Sequence, residues 1–466
     1  MSVITEATTC ATTTPAPLDG ILPVVGGDTQ VPLLDGTSRT YANLDYAASA
    51  PALEAVAARV TEVLPLYASV HRGAGYLSQV STALYEASRQ TIARFVGARA
   101  DDVAIITRNT TDALNLLAGV VPAGADGTPG RVLVLDVEHH ANLLPWGQGP
   151  DRASTVVPIA GTVAETLEVL ARELAAQPHA LVALTGASNV TGEALPLDEV
   201  VRLAHAAGAR VVVDGAQLVP HRGFDLAATG ADYVAFSGHK TYAPFGAGAL
   251  VGRRDWLDAG EPYLAGGGAV RDVRADRTVW QPAPARHEAG SPNVVGAIAL
   301  AEACEVLAGL PAGALEAHEA ALRARLVDGL ATLDGVRVVR IWPDSGEPVG
   351  VVTFTVGEHD PGLVAAYLAA EHGIGVRDGR FCAHPLLQRL GAADGAIRAS
   401  VGVGTPSEAV DRLVAGVAAF LAEGPGARYA VQDGCWVVAQ DTRPLIPLHG
   451  LDGLAATAAA CGPALD

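Results

Sequence analysis

Short apolar runs alternate with amphipathic stretches from residue 43 to 307, and this alternation narrows the possible folds more than any other feature of the chain. Seven runs, at 103–107, 131–136, 155–159, 180–186, 210–214, 233–237 and 248–252, read as strands. Several are apolar throughout, as strands buried on both faces should be. Helical stretches such as 81–96, 164–176 and 197–207 fall between them. Regular alternation of this kind requires crossover connections, so residues 41–308 are expected to form a large α/β domain on a mainly parallel seven-stranded sheet.

A smaller α+β domain is expected over 309–423, with helices at 312–333, 361–371 and 406–422 and extended segments at 336–341, 351–356 and 373–376. Residues 1–40 are rich in Thr, Pro and Gly and read as a loosely held arm. After Gly424-Pro425-Gly426 a C-terminal extension, 424–466, begins. Within it Asp433-Gly434 separates two short extended runs, a strong two-residue hairpin signal.

Composition excludes several function classes. Half of the residues are hydrophobic and 17% are charged, enough for a large core and too apolar for broad disorder. A net charge of −19 with no lysine-rich patch argues against nucleic acid or an anionic membrane as partner. No apolar run reaches the roughly 18 residues of a membrane span. The first 19 residues lack the basic and apolar segments of a secretory signal. Five scattered cysteines show neither metal-ligand spacing nor a disulfide framework, so a soluble protein of the reducing cytoplasm is expected.

Among 31 basic residues Lys240 is the single lysine. Arginine keeps its proton near neutral pH and cannot act as an amine nucleophile, whereas a desolvated lysine can. Lys240 lies in Phe236-Ser237-Gly238-His239-Lys240-Thr241-Tyr242, at the carboxyl end of an apolar run, where open α/β sheets bind ligands. Asp214 ends another such run 26 residues earlier. A carboxylate there can keep a pyridinium nitrogen protonated or simply cap a helix.

Arg108-Asn109-Thr110-Thr111-Asp112 opens a helix after a strand, which suits either a phosphate or an ordinary N-cap. Ser237 and His239 could complete a phosphate cradle. In Glu138-His139-His140-Ala141-Asn142 a histidine can stack on a ring or shuttle protons; adjacent histidines point apart, and no metal site is expected. Cys382 follows Arg377, the turn-prone Asp378-Gly379 and Arg380, a positive, loop-like setting that favours thiolate, although many unpaired cysteines are small buried hydrophobes. Arg398 could clamp a carboxylate or form a surface salt bridge.

Taken in order, these segments resemble the class V pyridoxal phosphate fold, and more narrowly the group II cysteine desulfurases and selenocysteine lyases. The resemblance covers about 43–421. It is carried by Leu44-Asp45-Tyr46-Ala47-Ala48, His71-Arg72-Gly73, Glu138-His139-His140-Ala141-Asn142 and Ser188-Asn189-Val190-Thr191-Gly192. Asp214-Gly215-Ala216-Gln217, Ser237-Gly238-His239-Lys240, Glu288-Ala289-Gly290-Ser291-Pro292-Asn293, the loop around Cys382 and Arg398-Ala399-Ser400 follow.

The resemblance implies a fold-type I transferase with bound pyridoxal 5'-phosphate. Lys240 would form the Schiff base and act as acid and base, His139 would stack on the ring, Asp214 would pair with its nitrogen, and Gln217 would contact its phenolic oxygen. Thr110, Thr111, Ser237 and His239 would hold the phosphate, with Ser291 reaching it from a neighbouring subunit. Asn189 and Arg398, with His71 and Arg72, would bind substrate. Cys382 would take sulfur from L-cysteine as a persulfide, releasing alanine, in a homodimer that passes sulfur to an acceptor protein.

Three departures stand out. Arg380-Phe381 replaces two histidines before the loop cysteine, Ser291 replaces a threonine, and the extension 424–466 has no counterpart. For the extension the expectation is a hairpin over the active-site mouth or a dimer contact. Rival readings are a selenocysteine lyase, another class V C–S lyase, aminotransferase or epimerase, and a non-catalytic scaffold.

Overall fold

A computed structural model describes residues 16–124, 127–128, 130–148 and 152–444. The seven expected strands all form: β1 (Asp102–Thr107), β2 (Arg131–Leu135), β3 (Ala153–Val157), β4 (Leu181–Thr185), β5 (Arg210–Asp214), β6 (Tyr233–Ser237) and β7 (Gly248–Arg253). They lie in the order β1-β7-β6-β5-β4-β2-β3. Neighbours from β6 to β3 run parallel, and β7 alone is antiparallel to both of its partners.

Alternation along the strands explains their unbroken apolar character. Leu133, Leu135, Val182, Leu184, Val211 and Val213 point into one buried cluster. Val132, Val134, Leu181, Ala183 and Val212 point into another on the opposite face. With both faces covered, neither can be polar. The same order brings the carboxyl ends of β4, β5 and β6 side by side, ending in Thr185, Asp214 and Ser237.

The helix Tyr76–Phe95 begins five residues before its expected start, at the cap residue Gly75. Tyr76 and Leu77 in its first turn are exposed, which hides the helical period there.

The smaller unit is a four-stranded antiparallel sheet: β8 (Val336–Val339), β9 (Val351–Val356), β10 (Arg377–Gly379) and β11 (Ala396–Ser400), ordered β8-β9-β11-β10. Its apolar face is packed by the helices Ala314–Ala331, Pro361–His372 and Ser407–Glu423. Two buried carboxylates tie the sheets' units together. Glu193 accepts from the backbone of Ile341 (2.6 Å) and Trp342 (3.2 Å), and Glu319 meets His221 at 2.7 Å.

Residues 16–40 are held more closely than their composition implies. Leu18 N donates to Ser407 Oγ (2.9 Å), Ile21 N donates to the Val403 carbonyl (2.7 Å), and Val24 and Leu33 are buried. Residues 1–15 and 445–466 lie outside the described residues.

The extension does form a hairpin, Tyr429–Gln432 with Cys435–Val438. Among the described residues it supplies none of the lining of the cavity described below. Instead it sits on the helix Pro361–His372, because Glu371 takes the N–H of Gly426 (3.1 Å), the N–H of Ala427 (3.2 Å) and the hydroxyl of Tyr429 (2.9 Å). No helix among the described residues is long and apolar enough to cross a membrane.

Candidate active site

The carboxyl ends of β4, β5 and β6 open into a cavity of about 360 Å³ closed on its far side by the small unit. Eleven expected site residues line it: Thr110, Thr111, His139, Asn189, Asp214, Gln217, Ser237, His239, Lys240, Cys382 and Arg398. Their first and last members are separated by most of the chain.

Lys240 follows β6 in a tight turn, its N–H and that of Thr241 both directed at the Ser237 carbonyl (3.3 and 3.2 Å). Gly238 is required in that turn, since a Cβ would stand 2.7 Å from the Ala247 carbonyl oxygen and 2.9 Å from that of Ala243. Burial pushes the Lys240 amine down to about 8, against the attraction of Asp214. An amine so placed sheds its proton far more readily than an exposed lysine.

Asp214 is almost fully buried at the end of β5. Its carboxylate accepts one backbone bond, from Ala216 N at 3.0 Å. Burial raises its pKa, while that bond and the Lys240 charge lower it. Such a carboxylate calls for a cationic partner inside the cavity. Gln217 next to it donates from Nε2 to the Ala47 carbonyl (2.6 Å), and its buried Oε1 has no partner among the described residues.

At the other end of the cavity stands the N-terminus of the helix Thr110–Ala118, capped by the Asn109 side chain on Asp112 N (2.9 Å). Ser237 Oγ receives Thr110 N (2.8 Å) and meets Thr110 Oγ1 (2.7 Å). Backbone N–H groups and hydroxyls at a helix start suit a phosphate. Burial, then the Lys240 charge, depress His239 to about 4, so its ring is neutral there.

His139 is held just as firmly. Its Nδ1 accepts Ala141 N at 3.0 Å, so a neutral ring carries its proton on Nε2. Burial first, then Lys240, press its pKa down to about 3. Glu138, to which no role was assigned from sequence, anchors this turn. Fully buried, it accepts Thr185 N (3.0 Å) and Asn142 Nδ2 (2.7 Å), and burial pushes its carboxyl up to about 8. Its only signal in the sequence was an acid beside two histidines.

Cys382 and Phe381 form a turn with φ of 52° and 51°, the left-handed region that non-glycine residues seldom adopt. The bonds that hold it include His140 N to the Cys382 carbonyl (2.9 Å), Ala383 N to the Arg380 carbonyl (3.0 Å), and Asn189 Nδ2 to the Phe381 carbonyl (2.8 Å). Arg398 is buried and donates to the Asn189 carbonyl and to Asp45 Oδ1, both at 2.9 Å; its guanidinium lies 5.3 Å from the Phe381 ring centre. Arg377 and Phe381 also line the cavity and were not singled out as site residues from sequence.

Ser291, His71 and Arg72 do not reach this cavity in the same chain. Ser291 is exposed. His71 Nε2 pairs with Glu86 (2.9 Å), and Arg72 holds the carbonyls of Gly267 (2.7 Å) and Gly290 (3.0 Å). The three therefore gather on a separate surface.

These residues fit pyridoxal phosphate. A buried carboxylate waits for a cation, an orphaned amide oxygen sits beside it, a neutral imidazole flanks the floor, and a helix start with hydroxyls stands where an anion would bind.

Comparison with known proteins agrees. Residues 42–413 match the family model described as aminotransferase class-V. The chain is 38% identical over 353 residues to a probable cysteine desulfurase of Vibrio cholerae serotype O1, covering 75% of this chain and 86% of the relative. It is 38% identical over 381 residues to a cysteine desulfurase of Dickeya dadantii, covering 81% and 91%. The solved structure of the cysteine desulfurase CsdA from Escherichia coli, in an S-sulfonic acid form, superposes with a TM-score of 0.73 at 35% identity, covering 82% of this chain and 94% of that one.

Proposed function

The chain belongs to the aminotransferase class-V family, among its cysteine desulfurases, and from that premise we propose that it converts L-cysteine to L-alanine while Cys382 retains the sulfur. The observation that carries this reading is the placement of the Cys382 turn in the same cavity as Lys240 and Arg398.

Pyridoxal phosphate, when bound, supplies the electron sink that makes the substrate Cα–H and Cβ–S bonds labile. Thr110, Thr111, Ser237 and His239 would hold its phosphate, and Asp214 would keep a proton on its ring nitrogen. Lys240 would carry the cofactor covalently and then move protons at the substrate Cα. Its amine, held near neutrality by burial, suits both tasks. His139 would stand over the ring and offer Nε2–H.

Arg398 would fix the substrate carboxylate, with Asn189 beside it. The Cys382 thiolate would attack the substrate sulfur; the Cβ–S bond breaks, sulfur remains on Cys382 as a persulfide, and a proton at Cβ completes alanine. Atoms balance without an oxidant.

Ser291, Arg72 and His71 act, in this reading, across a homodimer. Leu64, Leu66, Tyr67, Tyr76 and Leu77 are exposed on the adjoining 64–77 segment, an apolar surface suited to a second copy. Incubation of the holoenzyme with cysteine and a panel of other amino acids, assaying alanine and protein persulfide, tests the proposal. Alanine and persulfide from cysteine alone support it; turnover of another amino acid without persulfide refutes it.

A further inference from the structure

The outer side of the cysteine turn carries groups for which the reaction in the cavity has no use. Arg380 precedes Cys382 by two residues, is half-buried, and does not line the cavity. It forms no ion pair among the described residues. By contrast Arg389, on the short helix that follows, is neutralised by Asp136 at 2.7 Å.

Two imidazoles stand with Arg380. His140, whose backbone holds the Cys382 carbonyl, stacks edge-on against His384 at 4.5 Å between ring centres. Burial depresses His140 first, followed by His384 and Arg380; burial and then Arg380 depress His384. Among the described residues no carboxylate acts on either ring. In a chain of net charge −19, a guanidinium and two imidazoles that meet no carboxylate among the described residues form a cationic rim beside the Cys382 turn.

We propose that this rim selects the sulfur acceptor: Arg380, His140 and His384 receive a protein segment whose accepting cysteine is flanked by carboxylates. The inference rests on the reading that Cys382 holds a persulfide. In the transfer, the acceptor thiolate attacks the outer sulfur of that persulfide and the S–S bond breaks. The outer sulfur passes to the acceptor with its hydrogen, and Cys382 departs as a thiolate. The guanidinium lowers the cost of bringing the acidic segment against the turn, and the imidazole N–H groups take up its remaining oxygens.

The test uses holoenzyme whose Cys382 is loaded with inorganic polysulfide and verified by the mass of its peptide. It therefore stands even if cysteine proves not to be the sulfur source. Two synthetic peptides with a central cysteine are compared as acceptors, one flanked by aspartates and one by asparagines, at matched thiolate concentration. The rate ratio cancels any effect of Arg380 on Cys382 itself.

At low salt the aspartate peptide should be favoured by about threefold or more, a preference that declines with added salt. Arg380→Gln should bring the ratio to about one, and Arg380→Lys should keep it above one. Equal rates in the unaltered enzyme at low salt, or a preference that survives Arg380→Gln, would overturn the proposal. If Arg380→Gln fails to fold, the salt dependence of the unaltered enzyme decides: a salt-insensitive ratio overturns it.

Discussion

Lys240 and Asp214 share one cavity, and burial acts on them in opposite senses. It lowers the pKa of the amine and raises that of the carboxyl, so in both burial opposes the charged form. The consequence for Lys240 is measurable. Its neutral amine is the nucleophile, and that form grows as pH rises through about 8 rather than through the ordinary 10.5. Uptake of pyridoxal phosphate by cofactor-stripped protein should therefore accelerate up to about pH 8 and then level off; a limb centred near 10.5 would show that burial does not act on this amine. The single lysine could be read directly from the sequence, because no other residue offers a primary side-chain amine. Glu138 could not: its role depends on Thr185 N, 47 residues away, and nothing local marks that bond.

At the scale of elements, turns do most of the positioning. Gly238→Ala would press a methyl group on two carbonyl oxygens and push the Lys240 turn out of place, so the variant should fold yet retain little cofactor; an unchanged absorbance spectrum after gel filtration would contradict this. On the extension, Tyr429→Phe removes one of the three donors to Glu371. The expected cost is about 1 kcal/mol, read as a fall of about 2 °C in the unfolding midpoint. A midpoint that does not move would mean the hairpin is held by its apolar contacts alone.

The hairpin itself was legible because Asp433 and Gly434 adopt φ of 49° and 78°, a conformation that aspartate tolerates and that glycine, lacking a Cβ, adopts freely. Where it packs was not legible, since that depends on Glu371, 58 residues before Tyr429. The seven strands were legible for a simpler reason: burial on both faces leaves no polar positions to blur them.

For the whole molecule, the site is assembled from parts that no local pattern connects. Asn189 ties to the Phe381 carbonyl across 192 residues, joining the 188–192 loop to the cysteine turn. Only the order of motifs, matched to a family, places those two together in advance. The exposed surface of residues 64–77 is the corresponding case for the proposed pairing of two copies. Tyr76 is 77% exposed, and Tyr76→Glu should shift the protein from dimer to monomer in sedimentation and weaken cofactor retention; a variant that remains dimeric would remove this surface from the interface.

The central claim is that Cys382 takes sulfur inside the cavity that Lys240 lines. A single turnover with sulfur-labelled cysteine tests it most directly. The account predicts alanine and labelled Cys382 peptide in equal amounts, and in Cys382→Ala neither labelled protein nor alanine at the original rate. Alanine formed at an unchanged rate by Cys382→Ala, with the label released from the protein as elemental sulfur, would contradict it.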